Sequence, residues 1–110
     1  MKSILNLKNI LKKIKGVRKM SFYGIISVEI EYKNGIDEDT KRQIVKTMEE
    51  YLTVDYADND SVTFRGEENF TYGTIDELRD ILQELKDNNK IERAGIFVWN
   101  LDEPDDEIYI

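Results

Sequence analysis

The sequence predicts one α+β domain preceded by a short basic segment. Three stretches, residues 23–32, 53–57 and 61–65, alternate in side-chain character with a period of two, as strands do. Two other stretches place apolar residues three or four positions apart, as amphipathic helices do. With 110 residues, of which 40% are hydrophobic, the chain can enclose one modest core. We expect a basic segment over residues 1–20 and an acidic domain over residues 21–110.

The basic segment is defined by its charge and by its helical pattern. It carries seven Lys or Arg residues and no acid, whereas the other ninety residues carry nine basic and all twenty-three acidic residues. Residues 4–17 form an amphipathic helix on a helical wheel. Its apolar stripe consists of Leu7, Ile10, Leu11, Ile14 and Val17. Its lysines, which fall largely opposite that stripe, are Lys8, Lys12, Lys13 and Lys15.

The first strand of the domain is predicted over residues 23–32, because its residues alternate strictly in character. One side of the strand consists of Ile26, Val28, Ile30 and Tyr32. The other side consists of Tyr23, Ile25, Ser27, Glu29 and Glu31.

A turn and a helix follow this strand. Asn34-Gly35 is a turn signal, and Asp37 can cap the next helix with its side-chain oxygen. The first turn of that helix is acidic, which suits the positive end of the helix dipole. Its buried stripe is predicted to be Ile44, Val45, Met48, Tyr51 and Leu52.

A hairpin is predicted next, with strands over residues 53–57 and 61–65 and a tight turn at residues 58–60. A second helix is expected to begin at Thr74, since Thr74 and Glu77 fit the capping-box pattern. Its apolar stripe is Ile75, Leu78, Ile81, Leu82 and Leu85. Asn88-Asn89 can end this helix in a left-handed conformation, and a last strand is predicted over residues 93–101.

The predicted order is strand, helix, strand, strand, helix, strand. This is the order of a ferredoxin-like βαββαβ sandwich, with a four-stranded antiparallel sheet and two helices on one face. In that arrangement the first and last strands are neighbours. Many unrelated activities share it, so the fold alone predicts no function.

The last predicted strand is apolar on both sides, which has a consequence for the sheet face opposite the helices. If Ile96 and Val98 face the helices, an apolar patch remains on the other face. The patch is predicted to contain Tyr23, Ile25, Phe97, Trp99 and Leu101. Either the basic helix packs across it, or it binds another protein or a second copy, which leaves a homodimer open. Stacking of nucleic-acid bases is disfavoured, because Glu29 and Glu31 on this face would repel phosphates.

The acidic residues suggest a second kind of surface. One group, expected to lie in an acidic loop or tail, consists of Asp102, Glu103, Asp105, Asp106 and Glu107. The other group, near the predicted hairpin, consists of Asp55, Asp58 and Asp60. Such carboxylates either keep the protein in solution or recognise a basic surface of another protein.

Several classes of function lack the residues they require. The chain has no histidine and no cysteine, so the usual neutral-pH proton shuttle, thiolate chemistry and disulfides are absent. We find no phosphate-binding loop, no nucleophile beside a base and no calcium-loop spacing. We therefore expect no enzymatic activity, no cofactor and no bound metal; an oxygen-ligand metal enzyme is the weakest alternative. No apolar run is long enough for a transmembrane helix, and we expect a cytoplasmic protein.

These observations favour a small acidic protein-binding module that covers a basic surface of a nucleic-acid-handling protein. In size and charge it resembles the anti-restriction and anti-CRISPR inhibitors of phages and other mobile elements. Direct nucleic-acid binding by the acidic domain is not expected, given the net charge of −7. The alternative is a protein that contacts membranes or nucleic acid through its basic amino-terminal helix.

Overall fold

The computed structural model describes residues 21–100 and 106–110. The described residues form an α+β domain with a five-stranded antiparallel sheet and two helices, which confirms the predicted α+β class. The prediction of four strands was wrong, because a fifth strand begins within the acidic segment, at Asp106. The elements are β1 (Ser21–Tyr32), α1 (Glu38–Met48), β2 (Thr53–Ala57), β3 (Ser61–Thr71), α2 (Tyr72–Asp87), β4 (Ile91–Asn100) and β5 (Asp106–Tyr109).

The longest strand, β1, lies in the middle of the sheet, whose order is β2-β3-β1-β4-β5. It pairs antiparallel with β3 on one side and with β4 on the other, so the expected pairing of β1 with the strand over residues 91–100 is confirmed. Residues 66–71 continue β3 beyond its predicted end, because they pair with residues 21–26 of β1.

Strand β5 replaces part of the expected acidic loop. Asp106 and Glu107 begin this strand, which pairs with residues 95–98 of β4. Ile108 lies opposite Ile96 and packs against the core, as does Ile110. Burial of these two isoleucines and pairing with the open edge of β4 outweigh the acidic character of the strand.

One core holds the helices against one face of the sheet. The alternating residues of β1 that point inward, Ile26, Val28 and Ile30, are at most 1% exposed. They share a single buried cluster with inward residues of β3 and β4 and with the buried residues of both helices, which are Ile44, Met48, Ile75, Leu78 and Leu82. The predicted directions of Ile96 and Val98 are confirmed, since both are buried in this cluster.

The helix ends agree with the sequence patterns in most places. Asp37 caps α1 by accepting a hydrogen bond from the backbone N–H of Thr40 at 2.8 Å. Gly35 has a φ of +90° in the preceding turn, and Asn89 has a φ of 59° after α2, as the turn signals predicted.

Two helix boundaries differ from the prediction. Helix α2 begins at Tyr72 rather than Thr74, because the hydroxyl of Thr71 caps it by accepting from the backbone N–H of Thr74 at 3.2 Å. Helix α1 ends at Met48, so Tyr51 and Leu52 lie in the following turn, where Leu52 is buried.

Several sequence predictions fall outside the described residues. They are the basic helix over residues 4–17 with Lys8, Lys12, Lys13 and Lys15, and the residues Leu101, Asp102, Glu103 and Asp105.

Alanine substitutions at two glycines are expected to change the free energy of unfolding in opposite directions. A Cβ atom on Gly24 would overlap the backbone oxygen of Trp99, whereas one on Gly73 in α2 would meet only the Thr71 hydroxyl oxygen at 3.6 Å. We expect Gly24→Ala to lower the free energy of unfolding by about 1–3 kcal/mol, because β1 and β4 must move apart. We expect Gly73→Ala to raise it by roughly 0.4–1 kcal/mol, because alanine restricts the unfolded chain. Urea unfolding at pH 7 measures both, and changes of the same sign would contradict the close β1/β4 contact.

Candidate protein-binding face

The sheet face opposite the helices, here called the open face, carries the exposed aromatic residues of the domain. Among the described residues, four large hydrophobic side chains are exposed: Tyr23, Tyr56, Trp99 and Tyr109, at 45%, 60%, 43% and 70%. The strand registers place all four on the open face, because cross-strand partners point to the same side of a sheet. A soluble domain seldom leaves such a group bare without a use for it.

The structure brings together four of the five residues predicted for the apolar patch. Ile25 lies directly opposite Trp99 across the β1/β4 pair, and Phe97 lies opposite Ser27 one step further along. Tyr23 precedes Ile25 on the same side of β1. Ile25 and Phe97 are half-buried, so the patch is continuous and partly shielded by its own side chains. Leu101, the fifth predicted member, is not among the described residues.

Strand β5 adds an aromatic residue that the sequence patterns did not assign to this face. Tyr109 lies opposite Gly95, and its ring meets that of Phe97 edge to face, with centroids 5.7 Å apart and planes at 82°. A Cβ atom on Gly95 would lie 3.0 Å from the Phe97 ring. Gly95 therefore makes room for the Phe97 ring. In the sequence, the signal for this arrangement is a glycine two residues before an aromatic residue of the same strand, because the two positions share a face.

Carboxylates lie beside the aromatic residues. The hydroxyl of Tyr23 donates to Glu67 at 3.3 Å, and the hydroxyl of Tyr109 donates to Glu107 at 3.0 Å. The charge of Glu67 raises the pKa of Tyr23, and the hydrogen bond to Glu107 raises the pKa of Tyr109. Both phenols therefore stay neutral at physiological pH, while each holds an anionic group at the edge of an aromatic ring.

An open groove of about 430 Å³ runs along one end of this face. Phe97 and Tyr109 line one part of it, and Glu29 and Glu31 line another. Arg93, also in the lining, forms an ion pair with Glu31 at 2.6 Å. Aromatic rings beside carboxylates can hold a lysine or arginine side chain through cation–π attraction and ion pairing together. The groove therefore suits a basic side chain.

Described members of the two predicted acidic groups lie on different strands of the sheet. Asp55 lies on β2, at one edge of the sheet, whereas Glu107 lies on β5, at the other edge. Five strands at the usual spacing measure about 19 Å across. Asp55 and Glu107, which are described members of the two groups, therefore do not lie side by side.

The predicted acidic residues near the hairpin also differ in role. Asp58 accepts hydrogen bonds from the backbone N–H groups of Asp60 and Ser61, both at 2.8 Å, and these bonds lower the pKa of its carboxyl. It holds the β2–β3 turn, as the turn prediction proposed. The exposed Asp60 instead lines the groove of the open face.

Negative charge surrounds the described part of the domain. Twenty of the described residues are acidic and nine are basic. Five of the acids form ion pairs with described bases: Glu31 with Arg93, Glu38 with Lys41, Asp39 with Arg42, Asp76 with Arg79, and Glu92 with Lys33. The others lie on α2, in the turns, on the edge strands β2 and β5, and on the central strands β1 and β3. The open face is where this charge meets exposed aromatic residues.

Other kinds of site find less support within residues 21–100 and 106–110. No group of three or more acidic side chains there is placed to hold a metal ion. Neither of the two helices in this range has the length and apolar character needed to cross a bilayer.

Comparison with known proteins adds no relative: no family model, no curated protein and no solved structure matches this chain. The candidate site therefore depends on the geometry and charge of its own residues.

The role of Asp58 gives a prediction with a matched control. Because its folded-state pKa lies below the ordinary value of 3.8, Asp58 stabilises the fold above that pH, and this stabilisation is lost as pH falls through the lowered pKa. We expect Asp58→Ala to lower the urea midpoint at pH 7 and to lose less stability on acidification than the unmodified protein. Asp60→Ala keeps the backbone N–H that Asp58 binds and should leave the midpoint near its original value. Equal midpoints for the two variants at pH 7 would contradict the assignment.

Proposed function

We propose that this protein is a non-enzymatic binding module that captures a basic surface of another protein through its open face. The observation that carries the proposal is that four exposed aromatic residues and several carboxylates without a basic partner among the described residues share one sheet face. Aromatic anchors supply most of the binding energy in many protein interfaces, and complementary charge guides association.

The partner that fits this face carries basic and apolar side chains together. Glu29, Glu67 and Glu107 border the aromatic residues without a basic partner among the described residues, whereas Glu31 is paired with Arg93. Desolvated lysine or arginine side chains would gain both ring and carboxylate contacts. A purely apolar partner would leave these carboxylates buried and unpaired, which is costly.

We further propose a nucleic-acid-handling protein as the partner class. Such proteins expose basic surfaces that bind phosphates, and a dense negative exterior can occupy the same surfaces. The excess of eleven acids over bases among the described residues supports this choice, as does the repulsion it would exert on nucleic acid itself. The protein would then act as an inhibitor, in the manner of small acidic inhibitors from mobile elements.

The scaffold proposed for this function is a ferredoxin-like sandwich enlarged by β5. Support comes from the order β2-β3-β1-β4, the antiparallel pairing of all neighbours and the placement of one helix in each crossover. In this arrangement the helices cover one face, and no described element covers the other.

Charge reversal on the open face tests the recognition. The probe is a synthetic peptide with leucine and lysine at amphipathic helical spacing, and binding is measured by fluorescence of Trp99, the single tryptophan of the chain. We expect Glu29→Lys with Glu107→Lys to weaken binding roughly tenfold, which corresponds to about 1.4 kcal/mol, and to reduce its salt dependence. The control, Asp80→Lys with Glu84→Lys, changes net charge equally on exposed positions of α2.

Equal weakening by the two double variants would show that net charge, and not the open face, governs binding. Equal binding by the unmodified protein and the Glu29→Lys, Glu107→Lys variant at low salt would remove the proposed recognition altogether.

The class of partner is tested by using the full-length chain to capture proteins from the native host. We expect captured proteins to be released by added double-stranded DNA, because DNA and the open face would compete for one basic surface. The Glu29→Lys, Glu107→Lys variant should retain less of the same proteins than the α2 control. Proteins that stay bound in the presence of excess DNA would argue against a nucleic-acid-handling partner.

A further inference from the structure

We infer that residues 1–20 of this chain act as an intramolecular ligand of the open face, so that docking of this segment and binding of a partner exclude each other. The inference rests on the proposed function, because it names an occupant with the chemistry that the open face selects. It assigns the basic segment a regulatory role.

The apolar sides of the two surfaces match. The segment presents a stripe of aliphatic residues at helical spacing: Leu7, Ile10, Leu11, Ile14 and Val17. The open face presents Tyr23, Ile25, Phe97 and Trp99 as one continuous patch between β1 and β4. Docking would remove both apolar surfaces from water, and each would otherwise stay exposed.

The charges of the two surfaces are opposite. The segment has seven basic residues and no acid. The open face carries four acids, Glu29, Glu31, Glu67 and Glu107, against the two bases Arg65 and Arg93. On the helical wheel, Lys8 and Lys15 border one side of the stripe and Lys13 borders the other, so lysines would reach carboxylates beside the patch. Lys12 lies behind the stripe.

Chain connection and length allow the segment to reach the patch. Residue 20 precedes Ser21, the first residue of β1, and Tyr23 at the end of the patch follows two positions later. A helix over residues 4–17 would be about 21 Å long. That length is close to the width of about 19 Å expected for five strands. Residues 18–20 can span about 10 Å, enough to turn the chain back over the sheet.

Occupation of the face by the segment would lower the apparent affinity for a partner. Only molecules with the segment displaced would have a free open face, so apparent affinity falls in proportion to their fraction. A partner with a more extensive basic and apolar surface would displace the segment and replace its contacts.

The first test measures the accessibility of Trp99 in full-length variants. Leu11→Asp places a charge within the apolar stripe, whereas Asn9→Asp places the same charge on the polar side of the predicted helix. We expect Leu11→Asp to shift Trp99 emission to the red and to increase its quenching by acrylamide, because docking is lost. Asn9→Asp should keep the emission and the quenching of the unmodified protein.

The second test adds the synthetic leucine-lysine peptide as a competitor. We expect the peptide to bind Leu11→Asp about tenfold more tightly than it binds the unmodified protein or Asn9→Asp, since the face is free in the first variant. If no protein binds the peptide but Trp99 is exposed only in Leu11→Asp, the segment docks while the proposed function fails. If all three bind it equally with equally accessible Trp99, the proposed function stands and the intramolecular ligand is excluded.

Two further outcomes would overturn the inference, because they would identify another binding partner for the open face or for the segment. Loss of Trp99 shielding on dilution, together with a dimer by sedimentation, would identify a second copy of the chain. Unchanged Trp99 accessibility in Leu11→Asp, with loss of binding to vesicles containing phosphatidylserine, would assign the segment to a lipid surface.

Discussion

The fold depends on the alternation of β1, which is paired on both sides and buried on only one face. Ile26, Val28 and Ile30 are almost completely buried in the core, so a shift of the strand by one residue in either direction would put Ser27 and Glu29 there. The same alternation places Tyr23 and Ile25 on the opposite face. The apolar character of the open face is thus a direct consequence of how the core is formed, together with the two-sided apolar pattern of β4.

Strand β5 adds an aromatic ring and a carboxylate to this exposed apolar patch. It closes the edge of β4, adds the aromatic ring of Tyr109 beside Phe97 and places Glu107 next to that ring. Glu67 has the same relation to Tyr23 at the other end of the face. Because carboxylates and rings alternate there, the surface discriminates against phosphates and favours cations with apolar neighbours.

Long-range attraction and specific recognition depend on different parts of the surface. Acidic residues on every side of the domain give it a general attraction for basic molecules, which speeds encounter and weakens with salt. Within the part of the chain that the structure describes, the open face combines that charge with the exposed aromatic residues, so specificity is expected there. The basic segment at residues 1–20 has the matching chemistry within the same chain.

The sequence by itself determined the elements whose causes are local. Alternation defined β1, an apolar run defined β4, Asp37 and Asp58 marked a helix cap and a turn, and four of the five predicted patch residues follow from these patterns. Other features required the tertiary structure, because they depend on contacts between residues distant in the chain. The residues from Asp106 form a strand because they pair with the free edge of β4, and β3 is longer than predicted because it pairs with β1. The sheet order places Asp55 and Glu107 on opposite edge strands. A pattern of period two identifies which face a residue occupies, but only pairing decides its neighbours on that face.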